Sequence, residues 1–586
     1  MLPYLVRRLL ENGANTSFVN RISDASLAPA QLVADPCRRA TRNQPSQHPR
    51  IPPPLSMYLP VRKNSMGVNF ANDPELRALA AQINAEQGPW QAAPLVPGAD
   101  SSSTAPRAVT DPADRRRTIG QWQAADANAI ERALGNAVVS QPGWDTTTAE
   151  ARAAILERAA DLLEARRGAF IAMCVREAGK TLPASVAEVR EAADFLRYYA
   201  HEARRLCGAP IALPGPTGEQ NQMHLHGRGV FVCISPWNFP LAIFTGQIAA
   251  ALATGNSVIA KPAEQATLIG HAMTRLLREA GVPATVLQFL PGDGSTVGAA
   301  LTGDARVAGV AFTGGTDTAW AINRALAARD APIATLIAET GGQNALIADS
   351  SALPEQLVKD AIASAFDSAG QRCSAARVLF VQTDIADKVL TMLAGAMAEL
   401  KLGDPGLLST DIGPVIDQDA LDALNAHAAR MQHEARLIAE VTLPAGCAHG
   451  SFFAPRAYEI SGIDVLQREV FGPVLHVVRW QADQLDAVIA AINAAGYGLT
   501  LGIHSRIDAT IERISRGVRA GNCYVNRNQI GAVVGVQPFG GEGLSGTGSQ
   551  GRRAALPAAL HDRARDQRQH HRRRRQCLAA DAGRIG

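Results

Sequence analysis

The chain is predicted to be an α/β protein built around a parallel, mostly doubly wound sheet, and three observations predict it. Between residues 228 and 347 short apolar runs alternate with helical segments: VFVCIS, then 244–253, SVIAK, then 267–280, VLQFL, then 295–302, VAGVAF, then 317–329, then ATLIAE. Strands separated by helices return parallel to one another, because the helix carries the chain back to the start of the sheet. The stretch 229–260 contains no Asp, Glu, Lys or Arg, yet Pro236, Asn238, Pro240, Gln247, Gly255 and Asn256 break it into short pieces. That suits a buried strand, turn, helix and strand better than a membrane span. A second α/β segment runs from 352 to about 525, and no internal repeat is present.

In chain order, residues 1–21 read as a helix with Gly13 as its cap. A Pro-rich run at 45–60 reads as an extended linker, 74–86 as one short helix, and 88–116 as a loose Pro-, Ser- and Ala-rich stretch. Residues 22–119 are therefore expected to be a linker. From 147 the pattern turns helical, with Thr147 and Glu150 as a capping box and Ile155, Ala159, Leu162 and Leu163 on one face.

At 586 residues, with 47% hydrophobic and 19% charged residues, the chain can bury a large core. Its net charge of +3 conceals an acidic balance in the main body, because residues 549–586 alone hold ten Arg against three Asp. A basic surface for nucleic acid or membrane is not expected of that body. Eight Cys are scattered with no C-x-x-C pair, which points to free thiols in a reducing, cytoplasmic setting and to no metal site.

Five short motifs carry chemistry. In GQRCS (370–374) Cys373 is a thiol that backbone N–H groups could favour as thiolate, although most lone cysteines are small buried hydrophobes. In ETGGQ (339–343) Glu339 closes an apolar strand before a Gly turn, either as a solvated strand end or as a general base. In ISPWNFP (234–240) prolines fix a turn from which Asn238 offers an N–H donor, or the segment is simply a structural turn. Lys261 and Glu264 in KPAE end the next strand, where they could hold a ribose, the acid opposing a 2′-phosphate. FTGGT (312–316) offers backbone N–H groups to a pyrophosphate, and no G-x-G-x-x-G is present.

No one of these decides the matter, but WNFP, KPAE, FTGG, ETGG, GQRCS and EVFGP (469–473) in this order closely resemble the aldehyde dehydrogenase superfamily over roughly residues 120–548. The resemblance implies the aldehyde dehydrogenase fold: a Rossmann-like NAD-binding domain at 120–337 with an oligomerisation hairpin near 208–228, and an α/β catalytic domain at 338–527. It implies NAD as cofactor, Cys373 as nucleophile, Glu339 as general base and Asn238 as oxyanion donor. Lys261 and Glu264 would take the adenine ribose and Glu469 the nicotinamide ribose, with Ser235, Gly314, Gly315 and Thr316 lining the cofactor. Gly315 stands where the family usually has Ser.

Two further segments narrow the resemblance. YLVRRLLENGANTSFVNR (4–21) is similar to the last helix of the proline dehydrogenase barrel in the proline utilization A family, where residues matching Tyr4, Arg7 and Arg8 hold the proline carboxylate. IGAVVGVQPFGGEGLSGTG (530–548) resembles the aldehyde-anchoring loop of L-glutamate γ-semialdehyde dehydrogenases. In that likeness 528–548 anchors substrate: Gly531 and Ala532 hold its α-carboxylate, Phe239 and Phe539 flank its chain, Ser374 lines the pocket and Glu188 meets the α-amino group. The expected substrate is L-glutamate γ-semialdehyde, formed from 1-pyrroline-5-carboxylate, and the expected assembly is a homodimer. The chain is read as a proline utilization A fragment lacking the upstream barrel. Its tail from about Ser549 reads as disordered and as a frameshift product, because QHHRRRRQCL (569–578) back-translates in a shifted frame to a family-like string. The rival readings are an aldehyde dehydrogenase of other specificity, an inactive fragment, and non-specific DNA binding through the Arg-rich tail.

Overall fold

Strand and helix periods in the sequence become two units in the computed structural model, residues 1–64 and 65–586. The structure describes residues 5–6, 8–10, 18–33, 35–42, 50–86, 88–99, 102–214 and 221–548. Tyr4, Arg7, Gly13 and the tail 549–586, with the expectations placed on them, lie outside the described residues; Arg8 is helical. In the first unit short helices run over Phe18–Ile22, Pro29–Leu32 and Pro36–Arg42. The described part of the Pro-rich run is not extended throughout: Pro54–Ser56 is a 3-10 turn, and Asn64 Nδ2 donates to Pro54 O at 2.9 Å. A proline at the first helical position loses no bond, since its N–H would be unpaired there anyway.

The expected linker 22–119 is corrected over its second half. After a helix at Asp73–Asn84, strands β1 (Trp90–Ala92), β2 (Arg107–Asp111) and β3 (Asp114–Trp122) form a sheet of order β1-β3-β2. The run RAVTD/DRRRTIGQW shows no apolar alternation because most of its side chains face solvent. Only Ala92, Ile119 and Trp122, with Ala124 and Leu268, close a small core beneath it.

Four helices follow, at Ala127–Asp145, Ala149–Ala165, Arg167–Ala178 and Leu182–Cys207. The second is capped by Thr148, whose hydroxyl accepts from Ala151 N, one residue later than the expected Thr147. Thr147 instead turns its hydroxyl back to Gly143 O, finishing the preceding helix. β4 (Ile211–Leu213) and β5 (Asn221–Met223) then pair antiparallel in an exposed arm.

The predicted alternation appears as drawn. β6 (Val230–Ile234), β7 (Ser257–Lys261), β8 (Leu287–Phe289), β9 (Val307–Thr313) and β10 (Thr335–Glu339) form an all-parallel sheet of order β10-β9-β6-β7-β8. Strand order reverses between β6 and β9, which opens a crevice at the strands' carboxyl ends. The second sheet takes β11 (Ala345–Ala348), β12 (Val378–Gln382), β13 (Arg436–Glu440), β14 (Arg456–Glu459), β15 (Val474–Trp480), β17 (Thr500–His504) and β18 (Asn522–Val525). Its order is β13-β14-β15-β12-β11-β17-β18, parallel except for β13 at one edge. Short strands β16 (Tyr497–Gly498) and β19 (Glu542–Gly543) pair separately. Among the described residues no helix is long and apolar enough to cross a membrane.

Candidate active site

Cys373 is half-buried and sits on a loop that a left-handed turn sets apart from its helix. After the helix Pro354–Phe366 the chain takes Ser368, Ala369 and Gly370 through φ of 54°, 55° and 66°. Gly370 has no space for a Cβ, because Gly472 O of the FGP segment occupies it. Arg377, 1% exposed, binds the two segments together. Its Nη1 donates to Gly370 O at 2.7 Å and Gly472 O at 3.2 Å; its Nη2 donates to Arg372 O at 3.0 Å and Glu469 Oε1 at 3.1 Å. Asn344 Nδ2 donates to Cys373 O at 2.6 Å and Ala375 O at 2.9 Å, and Thr500 Oγ1 donates to Ser374 O at 3.1 Å.

Asn238, 8% exposed, arrives from the turn after β6 and donates from Nδ2 to Gln371 O at 3.0 Å, two residues from Cys373. Lys180 Nζ holds the Asn238 carbonyl at 2.7 Å and lies 3.1 Å from Glu188 Oε1. Glu188, expected at a substrate amine, also makes scaffold contacts. Its Oε2 accepts the N–H groups of Leu241 and Ala242 at 3.2 and 2.8 Å, neutralising the N-terminus of the helix Ala242–Ala253. Phe239 places its ring beside two cations, Lys180 Nζ at 4.7 Å and Arg372 Cζ at 5.4 Å from the centroid.

Glu339 closes β10, is 8% exposed, and accepts the Gly541 N–H on Oε2 at 3.2 Å. Its carbonyl accepts from Gly314 N at 3.1 Å, so the FTGG turn and the carboxylate share one strand end. The segment after Gly540 acts as a brace. Thr340 Oγ1 and Thr316 Oγ1 both donate to Leu544 O, at 2.6 and 3.3 Å, and Thr547 N donates to Ala338 O at 2.9 Å. Glu469 leans over the turn from the far side, where its Oε2 fills the place a Cβ on Gly341 would need. Burial pushes the Glu469 carboxyl up, and Arg377 opposes that shift.

A second cluster stands at the ends of β7 and β8. Ser235 N donates to Lys261 O at 3.2 Å, joining the turn after β6 to β7. Lys261 is 4% exposed; burial lowers its pKa, and Glu264 and Asp293 work against that. Burial and a hydrogen bond to Asp293 raise Glu264. A fork of bonds from Arg107 holds Asp293 below the usual carboxylate range. Gly315 precedes the helix Thr316–Ala327 as its N-cap, with open space where a side chain would stand.

The structure therefore joins Cys373, Ser374, Asn238, Phe239 and Glu469 around one loop, and Glu339 with Gly314 and Thr316 at one strand end. Lys261 and Glu264 share the second cluster. In the proposed anchor loop Gly531 takes φ 78° with no atom near its missing Cβ, Ala532 is buried and Phe539 half-buried. Val534 packs into the core that holds Phe195 and Tyr199. Sequence reasoning missed Arg377, Asn344, Lys180, Asp293 and Arg107. A charge inside the apolar run AARVLFV was the available signal for Arg377.

With the site in view, likeness to known proteins can be stated. The aldehyde dehydrogenase family profile matches residues 99–564, beginning earlier and ending later than the motifs suggested. The chain is 52% identical over 566 residues to the bifunctional protein PutA of Escherichia coli (strain K12), a match covering 94% of this chain and 42% of that relative. It thus spans less than half the length of these relatives. It is 35% identical over 465 residues to the 1-pyrroline-5-carboxylate dehydrogenase of Geobacillus kaustophilus (strain HTA426), covering 78% of this chain and 89% of the relative. The structure of 1-pyrroline-5-carboxylate dehydrogenase from Thermus with bound NAD superimposes with a TM-score of 0.79 at 32% identity, over 84% of this chain and 96% of that one. Profile, identity and superposition agree with the geometry: the chain belongs to the aldehyde dehydrogenase family.

Proposed function

We propose that this chain oxidises L-glutamate γ-semialdehyde, the open form of 1-pyrroline-5-carboxylate, to L-glutamate with NAD as the electron acceptor. One observation carries the reading: the half-buried Cys373 thiol and the Asn238 amide meet on one loop, in a chain 35% identical to a 1-pyrroline-5-carboxylate dehydrogenase. Cys373 Sγ attacks the aldehyde carbon as thiolate, giving a tetrahedral adduct. The Asn238 side chain and the Cys373 backbone N–H stabilise its oxyanion. Loss of hydride leaves a thioester on Cys373, and Glu339 takes a proton from water so that hydroxide releases glutamate.

The residues present suit NAD. Gly314 and Gly315 leave an open N-terminus on a twelve-residue helix for a pyrophosphate, and Lys261 with Glu264 forms a donor and acceptor pair for the adenine ribose. Ser235 lines the same crevice, and Glu469, over the Gly341 turn, would meet the nicotinamide ribose. When bound, NAD supplies the hydride acceptor. Gly531, Ala532 and Phe539, with Phe239 and Ser374, are proposed to hold the substrate's carboxylate and chain. The domain limits, the β4–β5 arm as a homodimer contact and a cytoplasmic location belong to the same proposal. Steady-state NADH formation tests it: turnover of 1-pyrroline-5-carboxylate should exceed that of propanal and benzaldehyde, and a chain preferring a simple aldehyde would overturn the substrate assignment.

A further inference from the structure

The small sheet β1–β3, which the sequence presents as linker, reaches the cofactor edge through one side chain. Arg107 on β2 donates from Nη1 to Asp293 Oδ1 at 2.8 Å and from Nη2 to Oδ2 at 3.3 Å, a fork that engages both oxygens. Its guanidinium lies 5.1 Å over the ring of Trp122, its cross-strand neighbour on β3, so the sheet itself orients it. Asp293 follows β8 and shares a side-chain hydrogen bond with Glu264, which follows the adjacent β7. Lys261, which is buried, and Arg107, which is half-exposed, both act electrostatically on the two acids.

We propose that Asp293, pinned by Arg107, is a second cofactor-selecting carboxylate that acts with Glu264 to exclude a 2′-phosphate. The inference rests on the dinucleotide reading above. Two carboxylates in hydrogen-bond contact do not both ionise freely. Arg107 favours the charge on Asp293, and burial together with the hydrogen bond to Asp293 makes Glu264 the easier of the two to protonate. A ribose hydroxyl can donate to this pair. A 2′-phosphate, with close to two negative charges, meets a fixed anion there even when Glu264 is protonated. The Arg107 charge is already compensated by Asp293, which takes one N–H from each of its terminal nitrogens.

The two residues therefore act on NADP with opposite sign. Titration calorimetry of NAD and NADP against the full chain, and against Asp293→Asn, Arg107→Met and Glu264→Gln, separates the possibilities. Asp293→Asn should lower the NADP-to-NAD ratio of Kd values by on the order of tenfold, as expected for one screened charge at close range. Arg107→Met, which leaves the Asp293 charge uncompensated, should raise that ratio, to the point of no measurable NADP heat. Taking the ratio within each variant cancels any inactive fraction. If Glu264→Gln shifts the ratio while Asp293→Asn leaves it at the wild-type value, Asp293 is no selector and only this inference fails. The same holds if both new variants shift it in one direction, as loosened structure alone would do. A wild-type chain that binds neither dinucleotide would overturn the cofactor reading itself.

Discussion

The loop that carries Cys373 and the strand ends that carry Lys261 and Glu264 are held by different forces. Around Cys373 the bonds run from buried side chains to backbone carbonyls: Arg377 to Gly370, Arg372 and Gly472, and Asn344 to Cys373 itself. Such bonds are directional, shielded from solvent and lost as a set. Around Glu264 the contacts are charge against charge, with Arg107 49% and Asp293 30% exposed. Those are graded and screened by salt. The first arrangement fixes where a reaction takes place, and the second adjusts which cofactor is accepted. Damage to the loop should therefore abolish function or fold, whereas damage at the cofactor edge should change preference.

The largest effect expected is from Cys373→Ala, which removes the thiol and leaves every carbonyl bond of the loop intact. NADH formation should fall by at least about a thousandfold with an unchanged unfolding midpoint; residual turnover near wild type would show that the loop serves another residue. Arg377→Met should cost about 3–5 kcal/mol in urea unfolding, because Glu469 and three carbonyls lose their buried partner. A loss below about 1 kcal/mol would break the contrast between the two regions. Glu339→Gln should keep a rapid burst of NADH, measured by stopped flow, and slow the steady rate by roughly a hundredfold or more.

Acid should strike the loop side first. Burial lowers His476 to about 3 and His427 to about 4, against 6.5 in the unfolded chain. His476 Nδ1–H donates to the Arg377 carbonyl at 3.0 Å, so its Nε2 accepts from His427 Nε2–H at 2.9 Å. His476 must be neutral in this arrangement, and burial favours the neutral form of His427 as well. A folded-state pKa below the unfolded one gives stability that is present above about pH 6.5 and lost as pH falls through 4 and 3. Unfolding midpoints measured across that window should drop, and His427→Gln should flatten the drop. The smallest effect is at the exposed edge. Glu264→Gln should narrow the NAD preference in kcat/KM by roughly tenfold without lowering the unfolding midpoint.

The alternation of strands and helices between 228 and 347 was legible because each strand there is a continuous apolar run covered on both faces. The motif residues were legible for a related reason: they stand where such runs stop, at Ile234, Lys261, Thr313 and Glu339, and an α/β sheet collects its strand ends at one edge. The sheet β1–β3 was not legible, since charged, solvent-facing strands show no period of two. The scaffold partners of Glu188 were not legible, because they are main-chain N–H groups more than fifty residues away, and those carry no side-chain signature.

By itself, then, the sequence determined which residues can do chemistry and the order of the strands that carry them, because both follow from local apolar periods and from the residues that end them. What supports those residues was decided only in the tertiary structure. Arg377 meets Glu469 across 92 positions, Arg107 meets Asp293 across 186 and Gly541 meets Glu339 across 202. Contacts of that separation depend on how two sheets and a strand-end brace come together, and no local window of the chain encodes them.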